Sequence, residues 1–294
     1  MTWLIVGATG QLGRAVVDSL IAKGEKVETL NRGDIEFNDV ERVREYFRHV
    51  NPSTVLNAAA WTNVDSAEDN FESVIQINAV VPGILAREAQ LVDAQFIQIS
   101  TDYVFSGNSS IPWSENAPLC PSSVYGQSKA EGERAVSLAA SQSSYIVRTA
   151  WLYSPWRRNF VKTMVRRAME DNSLVSVVDD QIGQPTSVFD VAERIQLLVK
   201  AKLEHGIYHA TNSGHASWFD FAQEIFRCAG ANPSRVKPIK SHEYPMQAQR
   251  PHYSVLGHHR WAEQGIDSMR DWRGALHASF PEILGSMGRE EKVQ

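Results

Sequence analysis

Cysteine is scarce in this 294-residue chain: Cys120 and Cys228 are the only two. That is too few for a disulfide framework, and the pair lacks metal-ligand spacing, so a reducing cytoplasm is the expected setting. Positive charge is not in excess either. A net charge of -5 argues against general nucleic-acid binding. Long hydrophobic runs are missing as well. The apolar opening, Trp3 to Val6, has no basic region before it and stops at Gly7, so neither a signal peptide nor a membrane partner is expected. There is no Pro-, Gly- or Ser-rich linker, no internal repeat and no low-complexity segment to mark a clean domain boundary.

What the chain does have is a repeating strand-and-helix rhythm. A β-branched apolar run leads into Gly7-Ala8-Thr9-Gly10-Gln11-Leu12-Gly13 and then into the helical pattern Ala15, Val16, Leu20, Ile21. Glycines at this spacing let the backbone approach a pyrophosphate, whose charge suits the free N–H groups at a helix start. A tight turn without a ligand would read the same way locally. Residues 26–30 form the next expected strand, where a dinucleotide domain reads the adenosine ribose. An acidic residue there would suit NAD; the chain instead offers Asn31-Arg32, with Arg14 behind the glycine loop. Two guanidinium groups suit a 2′-phosphate, so NADPH is expected over NADH.

Residues 54–56 form a third buried strand, and the small Ala58, Ala59 and Ala60 that follow leave room for a cofactor ring. Residues 64–68 and 74–90 read as helical, with Pro82 the irregular point, and 95–100 as a strand. The βαβα order predicts an α/β fold with a doubly wound parallel sheet. A long loop carrying Tyr103, Phe105 and Trp113 follows, and its length and aromatics point to function rather than disorder.

Thr101 places a hydroxyl at the end of a strand, and Tyr125 and Lys129 stand at i and i+4 on one helix face. The trio suits carbonyl reduction: a hydroxyl to orient the carbonyl, a phenol to give the proton, and an ammonium to lower the phenol's pKa and hold the nicotinamide ribose. With 8 tyrosines in 294 residues, chance alone supplies about a quarter of a Tyr-x-x-x-Lys match. It is the order of the motifs that carries weight.

On these residues the chain resembles the extended short-chain dehydrogenase/reductases, and within them the dTDP-4-dehydrorhamnose reductase family. Ser100-Thr101-Asp102-Tyr103-Val104-Phe105 and Asp180-Gln181-Ile182-Gly183-Gln184-Pro185-Thr186 are the more specific motifs. Asn57 to Glu68, Tyr125 to Lys129, Arg148 to Tyr153, Asn159-Phe160 and Arg250-Pro251 complete the match, which spans nearly the whole chain. The resemblance implies a Rossmann-type sheet with a smaller C-terminal substrate lobe. It implies NADPH-dependent reduction of the 4-keto group of a dTDP-4-keto-6-deoxysugar, dTDP-4-dehydro-L-rhamnose, to dTDP-L-rhamnose, with Thr101, Tyr125 and Lys129 catalytic.

Cofactor contacts implied are Gly7, Thr9, Gly10, Gln11, Leu12, Gly13, Asn31, Arg32, Glu36, Phe37, Ala58, Ala59 and Ala60, together with Tyr125 and Lys129. Substrate contacts implied are Thr62, Asp102, Tyr103, Trp151 and Asn159, and Arg250 is placed on the diphosphate because guanidinium binds phosphate in a bidentate manner. Residues 1–152 and 173–212 are assigned to the dinucleotide-binding domain, 153–172 and 213–286 to the lobe, and 287–294 to a tail. His252, His258 and His259 lack matching carboxylate or cysteine spacing, so no metal is expected.

The chain departs from the family pattern at several places. Glu36-Phe37 replaces a common aspartate and apolar pair, and Trp61 a commoner histidine or tyrosine. Ala15 and Phe189 replace glutamates of a metal-bridged dimer, which leaves monomer and homodimer both open. The alternatives are a ketoreductase for another dTDP-4-keto-deoxysugar and a non-catalytic NADP-binding regulatory subunit.

Overall fold

The computed structural model describes residues 1–31, 33–170 and 172–290. Arg32, half of the expected 2′-phosphate pair, lies outside the described residues, as do 291–294.

In chain order the first half runs β1 (Thr2–Val6), α1 (Gln11–Ala22), β2 (Lys26–Leu30), α2 (Val40–Val50), β3 (Thr54–Asn57), α3 (Val64–Glu68), α4 (Phe71–Ile75), α5 (Val81–Leu91), β4 (Gln95–Thr101), α6 (Val124–Ala140) and β5 (Ser144–Thr149). The second half runs β6 (Leu152–Tyr153), α7 (Phe160–Glu170), β7 (Val175–Val178), β8 (Ile182–Gly183), β9 (Thr186–Ser187), α8 (Val188–Lys200), β10 (Gly206–His209), β11 (Ala216–Ser217), α9 (Trp218–Cys228), β12 (Val236–Ile239), α10 (His259–Glu263) and α11 (Trp272–Glu290). No described helix is long and apolar enough to cross a membrane.

Six strands form one parallel sheet in the order β10-β5-β4-β3-β1-β2. Such strands are buried on both faces, and so they read as apolar runs rather than alternating ones. Trp3, Ile5, Leu56, Ile97, Tyr145 and Val147 face one helical layer that includes α1 and α8; Leu4, Val6, Val55, Phe96 and Ile146 face the other, which includes α2 and α5. Strand order reverses between β1 and β3, and ligands of open α/β sheets bind in the crevice at such a switch point.

A separate core lies beyond the sheet, built from Val161, Met164 and Val165 of α7, Phe221, Ile225 and Phe226 of α9, and Trp272, Leu276 and Ile283 of α11. Each of these helices turns one apolar stripe inward. α9 starts cleanly because Ser217 and Asp220 form a reciprocal capping box. Residues 173–212 are expected in the dinucleotide-binding domain; within them β7 pairs in parallel with β12, Val175 with Val236 through Val178 with Ile239, and Val177 joins this second core. A short apolar strand has no label for the sheet it joins, and here a distant strand supplies the partner.

Residues 74–90 are not one α-helix. Gln76–Val80 forms a π-helical turn between α4 and α5, just before Pro82. Such turns often mark functional positions.

Candidate active site

The glycine loop is built for close backbone approach. Gly7 adopts φ +81°, and a Cβ there would stand 2.7 Å from the Ala59 nitrogen. A Cβ on Gly13 would stand 2.2 Å from the Gly7 carbonyl oxygen. The loop after β1 and the alanine loop after β3 therefore touch across the switch point, with the N-terminus of α1 opening beside them. The first-turn N–H groups of a helix have no intrahelical acceptor, so this donor set fits a pyrophosphate. Leu12 presents only its backbone to this loop, since its side chain is buried in the core.

The other expected cofactor residues divide. Asn31 accepts a hydrogen bond from the Thr9 N–H at 3.2 Å, tying the glycine loop to the end of β2. Phe37 packs on the core under the sheet, and Glu36 is exposed. The Arg14 guanidinium lies 4.5 Å over the Trp156 ring and 3.7 Å from Asp18. A residue that the sequence reading missed, Arg157, donates from Nε to the Thr9 carbonyl at 2.8 Å. Nothing in its sequence surroundings links it to residue 9.

The catalytic seam lies where β4 meets α6. α6 begins at Val124 because the Glu68 carboxylate accepts the Val124 N–H at 3.0 Å and the Ser123 hydroxyl accepts the Gly126 N–H at 3.2 Å. Both satisfy otherwise orphaned helix-start donors. Gly126 is required by contact: a Cβ there would stand 2.3 Å from the Tyr103 carbonyl oxygen. This places the Tyr125 phenol beside the Thr101 side chain, close enough for that side chain to act on its protonation. The Lys129 ammonium donates to the Ile99 carbonyl at 2.6 Å, and the Tyr103 and Tyr125 rings meet edge to face at 5.6 Å.

The π-helical turn serves this seam. Its Asn78 accepts the Trp61 N–H at 2.8 Å and donates to the Trp61 carbonyl at 3.0 Å and to Ser128 Oγ at 2.9 Å. Ser128 in turn donates to the Tyr125 carbonyl at 2.7 Å. One buried amide thus joins the loop after β3 to the helix that carries Tyr125. Pro82, the irregular point of this stretch in the sequence, stands just after the turn.

Electrostatics at the seam differ from expectation in one respect. The Tyr125 phenol is pushed up to about 12, by burial first and with the nearby Asp102 charge adding to it, while the Thr101 hydrogen bond opposes the rise. Burial outweighs any lowering by a neighbouring cation, so the phenol is a protonated donor through neutral pH. The Lys129 ammonium is pulled down to about 8 by burial, with Glu133 opposing. Asp102 is raised to about 6 by burial, against hydrogen bonding from Ser254 and Thr101. Thr101 Oγ1 donates to Asp102 Oδ1 at 3.0 Å, whereas Asp102 Oδ2 is buried without a hydrogen-bond partner.

The residues expected to contact substrate come from distant parts of the chain. Arg250 Nη2 donates to Asp65 Oδ2 at 2.7 Å, and the Asp65 carboxylate also accepts the Ala248 N–H. Arg250 Nη1 is buried without a partner. Trp151 has φ +44°, a left-handed conformation that costs a bulky residue about 1–2 kcal/mol. It is held there by Trp218, stacked at 3.5 Å and 8°, and by Gly183, where a Cβ would reach within 2.5 Å of the indole. Thr62 is exposed on the loop after β3.

Asn159 is engaged elsewhere: its amide donates to Gln11 Oε1 at 3.0 Å and to the Ser154 carbonyl at 2.8 Å, and its oxygen accepts the Lys162 N–H. It fastens α7 to the glycine loop. The loop histidines point to separate partners, His258 Nε2 pairing with Thr211 Oγ1 and His252 Nδ1 with the Asp180 carbonyl. A different group, Glu224, Cys228 and His277, gathers in the lobe, where Arg227 and His277 engage the Glu224 carboxylate.

This geometry has counterparts among known proteins. The chain is 43% identical over 291 residues to dTDP-4-dehydrorhamnose reductase of Streptomyces griseus, covering 98% of this chain and 95% of that protein. It is 42% identical over 287 residues to a probable dTDP-4,6-dihydroxy-2-methyloxan-3-one 4-ketoreductase of Streptomyces antibioticus, covering 97% of each. The crystal structure of dTDP-4-dehydrorhamnose reductase from Bacillus anthracis in complex with NADP superposes with a TM-score of 0.91 at 35% identity, covering 96% of this chain and 99% of that one. The family model for the RmlD substrate binding domain matches residues 1–284. With the glycine loop, the Thr101, Tyr125 and Lys129 seam and a match of this extent, the chain belongs to the RmlD family of dTDP-4-dehydrorhamnose reductases within the extended short-chain reductases.

Proposed function

We propose that this chain is an NADPH-dependent reductase that converts the 4-keto group of dTDP-4-dehydro-L-rhamnose to the alcohol of dTDP-L-rhamnose. The observation that carries this reading is the seam at which the Thr101 hydroxyl, the Tyr125 phenol and the Lys129 ammonium gather between β4 and α6. When bound, NADPH supplies the hydride that adds to the carbonyl carbon. Thr101 orients the carbonyl oxygen by hydrogen bonding. Tyr125, protonated through neutral pH because it is buried, gives its proton to the forming alkoxide. Lys129, anchored on the Ile99 carbonyl, supplies positive charge beside the phenolate that results.

The Bacillus anthracis relative was solved with NADP, which supports NADPH here. The unpartnered Arg250 Nη1 supports the placement of an anionic diphosphate beside it, and the strained Trp151 supports a sugar-facing role. We assign residues 153–172 and 213–286, now with 173–180, to the substrate lobe on the strength of their shared core.

A second reading is a 4-ketoreductase acting on another dTDP-4-keto-deoxysugar. It is favoured by the identity to the Streptomyces antibioticus ketoreductase, 42% against 43% for the rhamnose enzyme. The test is incubation with NADPH and a panel of dTDP-4-keto-6-deoxysugars, with the stereochemistry of the product determined. Preferred turnover of dTDP-4-dehydro-L-rhamnose to the L-rhamnose product supports the first reading. Preference for another sugar overturns it, and NADPH binding without turnover of any would make the chain a binding subunit.

A further inference from the structure

The α6 face that carries Tyr125 and Lys129 continues one turn further to Glu133. Glu133 and Arg148 of β5 form a buried ion pair, their side chains 4% and 1% exposed. Glu133 Oε1 accepts from Arg148 Nε at 2.9 Å and from Ser100 Oγ at 2.5 Å, and Oε2 accepts from Arg148 Nη2 at 2.7 Å. Two consecutive residues at the end of β4, Ile99 and Ser100, are therefore held by successive turns of one helix face. The Ile99 carbonyl accepts from Lys129 and the Ser100 hydroxyl donates to Glu133, with Tyr125 beside Thr101 at the next position.

Arg148 is satisfied on its far side. Nη1 donates to the Glu115 carbonyl at 3.0 Å and lies 3.3 Å from His209 Nε2, and the guanidinium covers the Phe105 ring at 5.0 Å. Burial first, and the Arg148 charge second, hold His209 neutral by lowering its pKa well below the ordinary histidine range. Tyr125 on α6, Asp102 and Tyr103 beyond β4, Arg250 and Asp65 near Tyr103, and Glu115, His258 and His259 near Arg148 and His209 are the other titratable or charged groups placed around the seam among the described residues.

A buried ion pair is by itself weak evidence for stabilisation, because desolvation offsets much of the attraction. The placement of this one carries more. Lys129 is a buried cation, and Glu133 is the charge that opposes its loss of a proton. An acid eight residues from the tyrosine, on the same face, can hold the strand end and the lysine charge together.

We infer that Glu133 is a positioning residue for the Lys129 ammonium, with Arg148 the counter-cation that keeps the Glu133 carboxylate oriented. The inference rests on the roles proposed above for Tyr125 and Lys129. A merely structural staple would bind α6 to β4 and β5 without affecting the protonation of Lys129.

The test is Glu133→Gln, which keeps the shape and an acceptor for Ser100 while removing the charge. Because it leaves Arg148 buried without a counter-charge, the double variant Glu133→Gln/Arg148→Met is measured beside it. The Lys129 titration is followed by carbon NMR of lysine-labelled protein, with Lys129→Arg for assignment. In both variants it should move toward acid by about one pH unit or more, and the alkaline limb of kcat should move with it. Arg148→Met alone, which leaves the Glu133 charge in place, should show no acid shift. An unmoved titration in the folded double variant overturns the inference. Absence of turnover by the unmutated protein would count against the reductase reading, while the NMR titration would still decide the role of Glu133.

Discussion

The proposed catalytic seam and the proposed substrate-facing wall are built on opposite plans. Thr101, Tyr125 and Lys129 all lie between Ile99 and Lys129, on the end of one strand and the first turns of one helix. The wall depends on pairs far apart in sequence, Asp65 with Arg250 and Trp151 with Trp218. Chemistry that must recur unchanged is carried by regular elements whose geometry varies little. In the proposed reading recognition falls to loops and to the second core, where sugar specificity can change without disturbing the proposed proton donor.

The largest expected effect strikes the seam alone. Tyr125→Phe should lower kcat by about a thousandfold, within the usual range for loss of a general acid, while NADPH binding by fluorescence titration is retained. A variant that keeps more than about a tenth of the activity would place the proton donor elsewhere.

Asp102 lies at the border of the two regions, and its effect is on stability. Its folded pKa, about 6, stands above the ordinary 3.8. Relative to a neutral side chain, stability is therefore lost as pH rises from about 4 through 6, and the loss is complete above that. Asp102→Asn should stabilise the fold by about 2–3 kcal/mol at pH 8 and by almost nothing below pH 4, measured by chemical denaturation. Equal effects at both pH values would contradict the burial argument.

Gly126→Ala tests the rigidity of the seam. Alanine in a helix interior normally stabilises by up to about 1 kcal/mol, but here the added Cβ meets the Tyr103 carbonyl at 2.3 Å. We expect a loss of about 1–3 kcal/mol and a fall in kcat. A gain in melting temperature would show that the contact is slack.

The smallest effect should come from the wall. Trp218→Leu removes the stacking partner of the strained Trp151 and should raise the KM for the nucleotide sugar about tenfold, with kcat changed less. If kcat falls as far as KM rises, the two regions are not separable in the way the comparison states.

Much of the fold was legible in the sequence because parallel strands buried on both faces produce apolar runs, and their alternation with helical periodicity leaves few arrangements. The seam was legible for a related reason: Tyr125 and Lys129 are one helical turn apart, and local spacing sets which face they share. Other parts were not. The pairing of β7 with β12 joins segments 61 residues apart in register, and a strand of four residues does not name its partner. The rise of the Tyr125 pKa comes from burial by neighbours that the sequence does not assemble, so one cation a turn away was an incomplete guide. Asn31 and Asn159 are tied to Thr9 and Gln11, contacts that exist only after the chain has closed on itself.

The sequence by itself determined which chemistry this chain carries: a glycine loop for a pyrophosphate, and a hydroxyl, phenol and ammonium for a carbonyl. These depend on side-chain type and on spacing within one turn or one strand, which are local properties. Tertiary structure alone decided the setting of that chemistry. Desolvation, the shared carboxylate of Glu133, the bridging amide of Asn78 and the stack that holds Trp151 all require distant segments in contact, and no local rule specifies which segments those will be.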